Sequence, residues 1–308
     1  ALPEPNEEAE QADDEPPASA LEARLAKIMG AVLGVTAIGR HQSYFTLGGD
    51  SIASVRLASR ATRAGLPVEP RDLYAAPTVA TLAELVAARL GDANINHSPA
   101  KEAYSDTVVQ LNGVQRWFFG LGLPNPDHWA MATVVSVAPG LTVEALGRAL
   151  TALIDRHDAL RTRFVHTDDG VVAELPPNTP PPVVNEVSTL GLRPRVAEAR
   201  ARGALSELIA GLSLAEPPLI AAALIRGAAE LGGDRLALVA HHAAMDVVSW
   251  AVVLDELEAL LAGEDPGPAG SAAVWSRAWE SQTLGPAEQV WLTQAQDGTV
   301  WPSLPPGA

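Results

Sequence analysis

Hydrophobic positions recur every three or four residues in three stretches of the first third of the chain. These stretches begin near Leu21, Ser51 and Thr78, and each keeps its apolar side chains on one helix face. A short helical turn precedes Pro77, because the residue before a proline avoids the α region. Residues 20–91 are therefore predicted to form an all-α bundle of three full helices and one short one.

From residue 107 onward, strand-like and helix-like patterns alternate. Valine- and threonine-rich runs predict strands, and two strongly periodic runs predict helices at 143–157 and 247–261. The predicted strands cover residues 132–137, 161–165, 171–175, 219–225 and 236–240. Mixed strands and helices indicate an α/β sandwich, so the chain is predicted to be multidomain, with residues 107–308 forming a separate α/β lobe.

Two polar stretches separate these parts. Residues 1–19 combine many acidic side chains with prolines and no basic residue, so they are interpreted as an acidic linker. Residues 92–106 show weak periodicity and are interpreted as an interdomain linker.

Composition narrows the classes of function. Hydrophobic residues make up 47% of the chain and charged residues 19%, the balance of a globular protein. A formal net charge of -16 repels phosphate backbones and anionic lipid, so neither nucleic acid nor a membrane is expected as a partner. The absence of cysteine excludes disulfides and thiolate metal sites, and it fits a cytoplasmic location.

A serine follows two glycines where the second helix is predicted to begin. The local sequence is Leu-Gly-Gly-Asp-Ser-Ile, which places Ser51 at the helix N-terminus directly after Asp50. Free N–H groups and the positive end of the helix dipole favour a phosphate there. An ordinary helix cap made by Ser51 or Asp50 is the alternative, and this motif alone leaves both open.

The wider sequence around Ser51 resembles the peptidyl carrier domains of nonribosomal peptide synthetases. The resemblance covers residues 20–91 and includes Phe-Thr-Leu-Gly-Gly-Asp-Ser-Ile followed by Arg-Asp-Leu-Tyr near residue 74. It implies that a separate phosphopantetheinyl transferase attaches 4′-phosphopantetheine to Ser51. The arm would carry an aminoacyl or peptidyl thioester, so Ser51 is a tether rather than a nucleophile. An acid before the serine, here Asp50, is typical of carriers that serve epimerization domains.

Two adjacent histidines lie between a predicted strand and a predicted helix. Either His241 or His242 could act as a general base near neutral pH, and the carboxylate of Asp246 could hold the loop through an ion pair. Two structural histidines bonded to the backbone are the alternative. No third ligand stands at a recognisable spacing, so no metal site is predicted.

The string His-His-Ala-Ala-Met-Asp-Val-Val-Ser-Trp resembles the HHxxxD motif of the condensation superfamily, and its Val-Ser-Trp ending is similar to the epimerization branch. Further matching motifs lie in the expected order at residues 114–119, 128–129 and 157–164. The resemblance implies a chloramphenicol-acetyltransferase-like lobe in which His242 is catalytic beside His241. It also implies that Asp246 pairs with an arginine. Arg161 is chosen for that arginine, and Arg163 stays open because it is expected on the same face of the same strand. The aromatic residues at 117–119 are assigned to the core.

These resemblances imply one function and leave two alternatives. The carrier would hold a thioester for L-to-D epimerization at Cα, alongside adenylation and condensation domains of the same assembly line. In the family a second acid/base, a glutamate, lies in a second lobe that residues 107–308 do not include. The chain alone is therefore expected to be loaded on Ser51 but to epimerize poorly. The alternatives are a condensation domain that forms peptide bonds, and a noncatalytic carrier with a docking platform.

Overall fold

The computed structural model describes residues 15–91, 108–168, 170–227, 233–267 and 269–280. The predicted linker at 92–106, most of the predicted linker at 1–19, and the last part of the lobe from residue 281 lie outside the described residues. No helix among the described residues is long and apolar enough to cross a bilayer.

Four helices pack around one core in the first part of the chain. They are α1 (Ala20–Leu33), α2 (Ser51–Arg63), α3 (Asp72–Ala75) and α4 (Val79–Gly91). Leu25, Leu57 and Leu82 are fully buried at the centre of the bundle. Arg89 of α4 donates to both carboxylate oxygens of Asp72, at 2.5 and 2.8 Å, and so fixes the short helix against the bundle. The predicted four-helix unit is confirmed.

The second part of the chain is an α/β lobe with two sheets. Its helices are α5 (Gly113–Gly120), α6 (Val143–Arg156), α7 (Asp158–Arg161), α8 (Pro194–Ala210), α9 (Val247–Leu261) and α10 (Ala272–Glu280). Its strands are β1 (Val108–Val109), β2 (Ala130–Ser136), β3 (Arg163–Thr167), β4 (Gly170–Glu174), β5 (Val184–Ser188), β6 (Ile220–Arg226) and β7 (Arg235–His241). The predicted combination of bundle and α/β lobe is confirmed.

The larger sheet has the strand order β2-β7-β6-β5, and its two central strands are buried on both faces. Only the β5 and β6 pair is parallel, and the smaller sheet, β1-β4-β3, is antiparallel. Helices α6 and α9 pack on one face of the larger sheet, where Leu238 and Leu257 belong to one core cluster, and α8 covers the other face through Leu208. Because both faces are covered, β6 and β7 consist of nearly unbroken apolar residues.

The sequence pattern misplaced one segment and missed several elements. Arg161 was expected on a strand with Arg163, but it ends α7, a helical turn closed by the Thr162 hydroxyl, which donates to the Asp158 carbonyl oxygen at 2.9 Å. The shared-face prediction for the two arginines is therefore wrong. Helix α8 was missed because most of its buried positions are alanines, which give little periodic signal. The other elements not predicted are β1, α5, β5 and α10.

Candidate functional site

The loop before α2 presents Ser51 to solvent. Gly48 adopts a positive φ of 93°, and a Cβ on Gly49 would lie 2.3 Å from the ring of buried Tyr44. The carboxylate of Asp50 accepts from the Ala53 backbone N–H at 2.7 Å and so caps the helix. Since Asp50 is the cap, the exposed Ser51 hydroxyl is not needed for that purpose and has no hydrogen-bond partner among the described residues.

This arrangement fits a phosphodiester on Ser51. The hydroxyl is exposed at the first residue of a thirteen-residue helix, where backbone N–H groups and the helix dipole stabilise negative charge. Tyr44 supports the loop from below, because its hydroxyl donates to the Asp50 carbonyl oxygen at 3.2 Å, and the Ser54 hydroxyl donates to the same oxygen at 2.7 Å. Burial raises the pKa of Tyr44, which keeps this hydroxyl protonated.

His241 is a structural residue. Its side chain is fully buried at the end of β7, and its Nε2–H donates to the Pro126 carbonyl oxygen at 2.9 Å. Its Nδ1 accepts from the Ala243 backbone N–H at 3.0 Å, so both ring nitrogens are already used. Burial lowers the pKa of His241, which favours the neutral ring. The structure therefore corrects the catalytic assignment of His241 to a role in holding the loop.

His242 has the geometry of a base. Its ring is exposed, and Nδ1 lies 2.9 Å from the carbonyl oxygen of Met245. A carbonyl oxygen can only accept, so Nδ1 must carry the proton. The neutral ring consequently keeps Nε2 unprotonated and free to accept a proton. Met245 was not among the predicted site residues, because a main-chain acceptor leaves no signal in the sequence.

Asp246 caps α9 instead of pairing with an arginine. Its carboxylate accepts from the Ser249 backbone N–H and hydroxyl, both at 2.8 Å. Within the part of the chain that the structure describes, Asp246 forms no ion pair, and the Nε of Arg161 is buried without a partner. Arg163 is engaged by Glu174 on the neighbouring strand. The residues implied to form an ion pair are thus not brought together here.

An open cavity of about 690 Å³ lies beside His242. Its wall contains four tryptophans, Trp117, Trp129, Trp275 and Trp279. Trp117 is 58% exposed, so its assignment to the core is wrong, whereas Phe118 is buried as expected. The two tryptophans of α10 stack with their ring centroids 5.6 Å apart. They were not predicted, because an isolated short helix with two tryptophans resembles any amphipathic segment.

Two segments hold the histidine loop in place. The His242 backbone N–H donates to the Trp129 carbonyl oxygen at 2.8 Å, and the Gln115 side chain of α5 donates to the Ala243 carbonyl oxygen at 2.9 Å. Gln115 and Asn112 also form a reciprocal capping box at the start of α5. The ordered motifs near residues 114 and 128 therefore meet at the same loop.

A small helical bundle that presents an exposed serine at a helix start, followed by an α/β lobe with an exposed histidine beside an open cavity, defines a two-part class of protein. Comparison with known families agrees with this class. Residues 105–300 match the family model described as "Condensation domain", and residues 23–86 match "Phosphopantetheine attachment site". The chain belongs to the condensation-domain family and carries a 4′-phosphopantetheine attachment site ahead of that domain.

The relatives are large synthases. One linear gramicidin synthase subunit of Brevibacillus parabrevis is 35% identical over 262 residues, which is 84% of this chain and 3% of that protein. Surfactin synthase subunit 2 of Bacillus subtilis (strain 168) is 32% identical over 257 residues, which is 83% of this chain and 7% of that protein. These matches agree with the predicted nonribosomal peptide synthetase context, and the chain spans a small fraction of each relative.

Two solved structures share the fold of the lobe. The epimerization domain from the third module of tyrocidine synthetase B aligns with a TM-score of 0.56 at 18% identity, over 64% of this chain and 46% of that chain. The starter condensation domain of rhizomide synthetase aligns with a TM-score of 0.51 at 19% identity, over 64% of this chain and 49% of that chain. The chain thus spans about half of each solved domain.

Proposed function

We propose that the lobe is the N-terminal half of an epimerization domain that inverts Cα of an aminoacyl or peptidyl thioester held on Ser51. The observation that carries the proposal is the ring of His242, whose Nδ1–H is held by the Met245 carbonyl oxygen so that Nε2 is left free. Sequence features favour epimerization over condensation: Asp50 before the tether and Val-Ser-Trp at the start of α9.

The roles of the chain's own residues follow from this geometry. When bound, 4′-phosphopantetheine supplies a thioester whose carbonyl makes the Cα–H bond more acidic. His242 Nε2 removes or returns the proton on one face of Cα, and the hydrogen bond from Nδ1 to Met245 stabilises the ring in both protonation states. Trp117 and Trp129 form an apolar wall of the same cavity, which keeps water from competing for Nε2 on that side.

Inversion also requires an acid or base on the other face of Cα. The described lining of the cavity contains no glutamate, and its carboxylate, Asp246, is engaged in capping α9. We therefore propose that the chain alone is loaded by a phosphopantetheinyl transferase but exchanges the Cα proton slowly. Adenylation and condensation domains of the same assembly line are its proposed partners.

The attachment step is tested by intact-protein mass spectrometry. A broad-specificity phosphopantetheinyl transferase is expected to add one phosphopantetheine to the chain and none to the Ser51→Ala variant. The variant removes only an exposed hydroxyl, so its helix content serves as a folding control. Modification at another residue, or no modification of the parent chain, would contradict the tether.

The reaction is tested by Cα deuterium uptake in deuterated buffer. An L-aminoacyl pantetheine is loaded on Ser51, and the second lobe of an epimerization domain is added in trans. Uptake is expected to be slow without the second lobe, faster with it, and lost in His242→Ala. Rapid uptake by the chain alone would contradict the proposed need for a second acid/base group.

Peptide-bond formation is the second candidate, since the matched family model is that of condensation domains. The same loaded chain, mixed with the second lobe and an acceptor aminoacyl carrier, distinguishes the two reactions. Dipeptide formation without Cα exchange would favour condensation. Neither reaction under these conditions would favour a noncatalytic docking platform.

A further inference from the structure

One buried carboxylate of the lobe is bonded by arginines of the carrier. The Nε and Nη2 of Arg60, on α2, donate to the two oxygens of Asp255, on α9, at 2.9 and 2.8 Å. Arg56 and Arg63 lie one helical turn to either side, and each places an Nη2 within 3.4 and 3.8 Å of the same carboxylate. The side chain of Asp255 is only 4% exposed.

The buried carboxylate of Asp255 requires positively charged partners. A carboxylate removed from water is costly unless it is paired and hydrogen-bonded. Glu256, the next residue, faces the lobe interior and is bonded by Arg156 and His157 at 3.0 and 2.8 Å. The side-chain partners of Asp255 among the described residues come instead from α2. The charge of Asp255 is therefore balanced by the carrier and not by its own lobe.

The contact lies at the end of the lobe opposite His242. Arg56 and Leu236 both line a cavity of about 690 Å³, and Leu236 stands near the start of β7, whereas His241 ends that strand. Five residues of strand span about 16 Å. The cavity beside His242 is lined by residues of the lobe and by none from 15–91. The docked carrier thus contributes nothing to the site.

We propose that the arginine face of α2 and Asp255 of α9 form a docking site that holds the carrier in a resting position on its own lobe. Ser51 remains exposed in this position, open to modification, while the carrier stays away from His242. Delivery of cargo to His242 then requires this contact to open. The docking site requires only the carrier and the lobe. It does not depend on which reaction the lobe catalyses.

The test measures the distance between the two parts in solution. The chain has no cysteine, so a pair introduced as Ala88→Cys and Ala199→Cys, both at exposed helical positions, accepts fluorophores without background labelling. Single-molecule energy transfer on the full chain is expected to show a dominant docked population. Asp255→Ala is expected to lower the ratio of docked to undocked molecules at least about tenfold, because it removes the buried carboxylate that three arginines share and leaves only the exposed Glu258, 3.9 Å from Arg60.

Two further variants separate docking from folding and from net charge. Arg60→Gln leaves the lobe unchanged and is expected to give the same loss of docking, so it decides the outcome if Asp255→Ala unfolds α9. Asp155→Asn removes an exposed carboxylate from α6, outside the contact, and is expected to behave as the parent chain. Equal distance distributions for the parent, Arg60→Gln and Asp155→Asn would overturn the proposal. The Cα exchange assay does not enter this result.

Discussion

The Nδ1 of His242 lies 2.9 Å from the carbonyl oxygen of Met245, three residues further along the chain. This short main-chain contact sets the tautomer of the ring and leaves Nε2 for chemistry. In the neighbouring residue, His241, both ring nitrogens form hydrogen bonds with the backbone inside the core. One dipeptide therefore contains a ring with both nitrogens bonded to the backbone and a ring with one nitrogen free, and the two can be separated by mutation.

The first prediction concerns these two histidines. His242→Ala should change the free energy of unfolding by no more than about 0.5 kcal/mol, because the ring is exposed. His241→Ala should lower it by about 2 to 4 kcal/mol, because it opens a buried space and leaves two backbone groups unpaired. Urea unfolding followed by circular dichroism measures both values. Equal losses for the two variants would contradict the assigned roles.

The second prediction is a pH dependence due to His241. Burial holds the pKa of His241 below its ordinary value of 6.5, so the unfolded chain binds this proton more readily than the folded one. The contribution to stability is complete above pH 6.5 and is lost as the pH falls below that value toward the folded-state pKa. We expect the free energy of unfolding to decrease between pH 7.5 and 5.5, and less so in His241→Asn.

The chosen pH window lies above the range in which Glu256 titrates. Burial raises the pKa of Glu256, but bonds from His157 and Arg156 outweigh it and hold the pKa below its ordinary value of 4.5. Its contribution is therefore lost only at lower pH. Ring chemical shifts measured by NMR give a direct check, since more than half of the His241 rings should be neutral at pH 6.5. Titration of that ring at or above 6.5 would show that burial does not control it.

The third prediction concerns the loop that carries Ser51. A Cβ at Gly49 would meet three atoms of the buried Tyr44 ring at 2.3 to 2.5 Å, and a fully buried ring has little room to move. Gly49→Ala should destabilise the helical bundle by about 1 to 3 kcal/mol and slow attachment of phosphopantetheine to Ser51. Gly91→Ala, in the same bundle but facing open space, is the matched control. Similar attachment rates in both variants would contradict the packing argument.

Helices with strong apolar periodicity could be predicted from the sequence. Roles that depend on long-range contacts could not. Helix α9 was predicted at 247–261 and has those bounds, and α6 differs by one residue, since both carry clear apolar stripes. The serine and the histidine pair could be singled out in the sequence because each belongs to a local motif. Asp255 lies in a Leu-Asp-Glu-Leu run that predicts only a polar helix face, and nothing local indicates that it faces the carrier.

The same limit applies to the arginine expected beside Asp246. The family resemblance implied a pair, but a cap within one helical turn satisfies the carboxylate at a smaller entropic cost than a contact across the chain. The cavity wall could not be predicted either, because Trp275 lies more than a hundred residues from Trp129. The topology that brings them together depends on α10, which carried too little pattern to be recognised.

The last prediction concerns Asp158, which is far from α10 in sequence but forms hydrogen bonds with its first residues. Its buried carboxylate accepts from the Ser271 hydroxyl at 2.5 Å and from the backbone N–H groups of Ala272 and Ala273 at 2.9 and 3.2 Å. It therefore caps the helix that carries Trp275 into the cavity beside His242. Asp158→Ala should lower the free energy of unfolding by about 1 to 3 kcal/mol, because the freed N–H groups lose a charged acceptor.

Loss of this cap should destabilise α10, which forms part of the cavity wall, more than the rest of the lobe. Amide hydrogen exchange in α10 should accelerate at least about tenfold in Asp158→Ala, while exchange in β6 and β7 stays slow. Asp158→Asn keeps one acceptor oxygen and should fall between the parent and the alanine variant. Asp155→Asn, an exposed acid on the adjacent helix α6, controls for charge. The Ser271 Oγ also accepts from the Val274 backbone N–H at 3.1 Å. If α10 exchanges at the parent rate in Asp158→Ala, Ser271 alone caps the helix, and Asp158 does not position the wall.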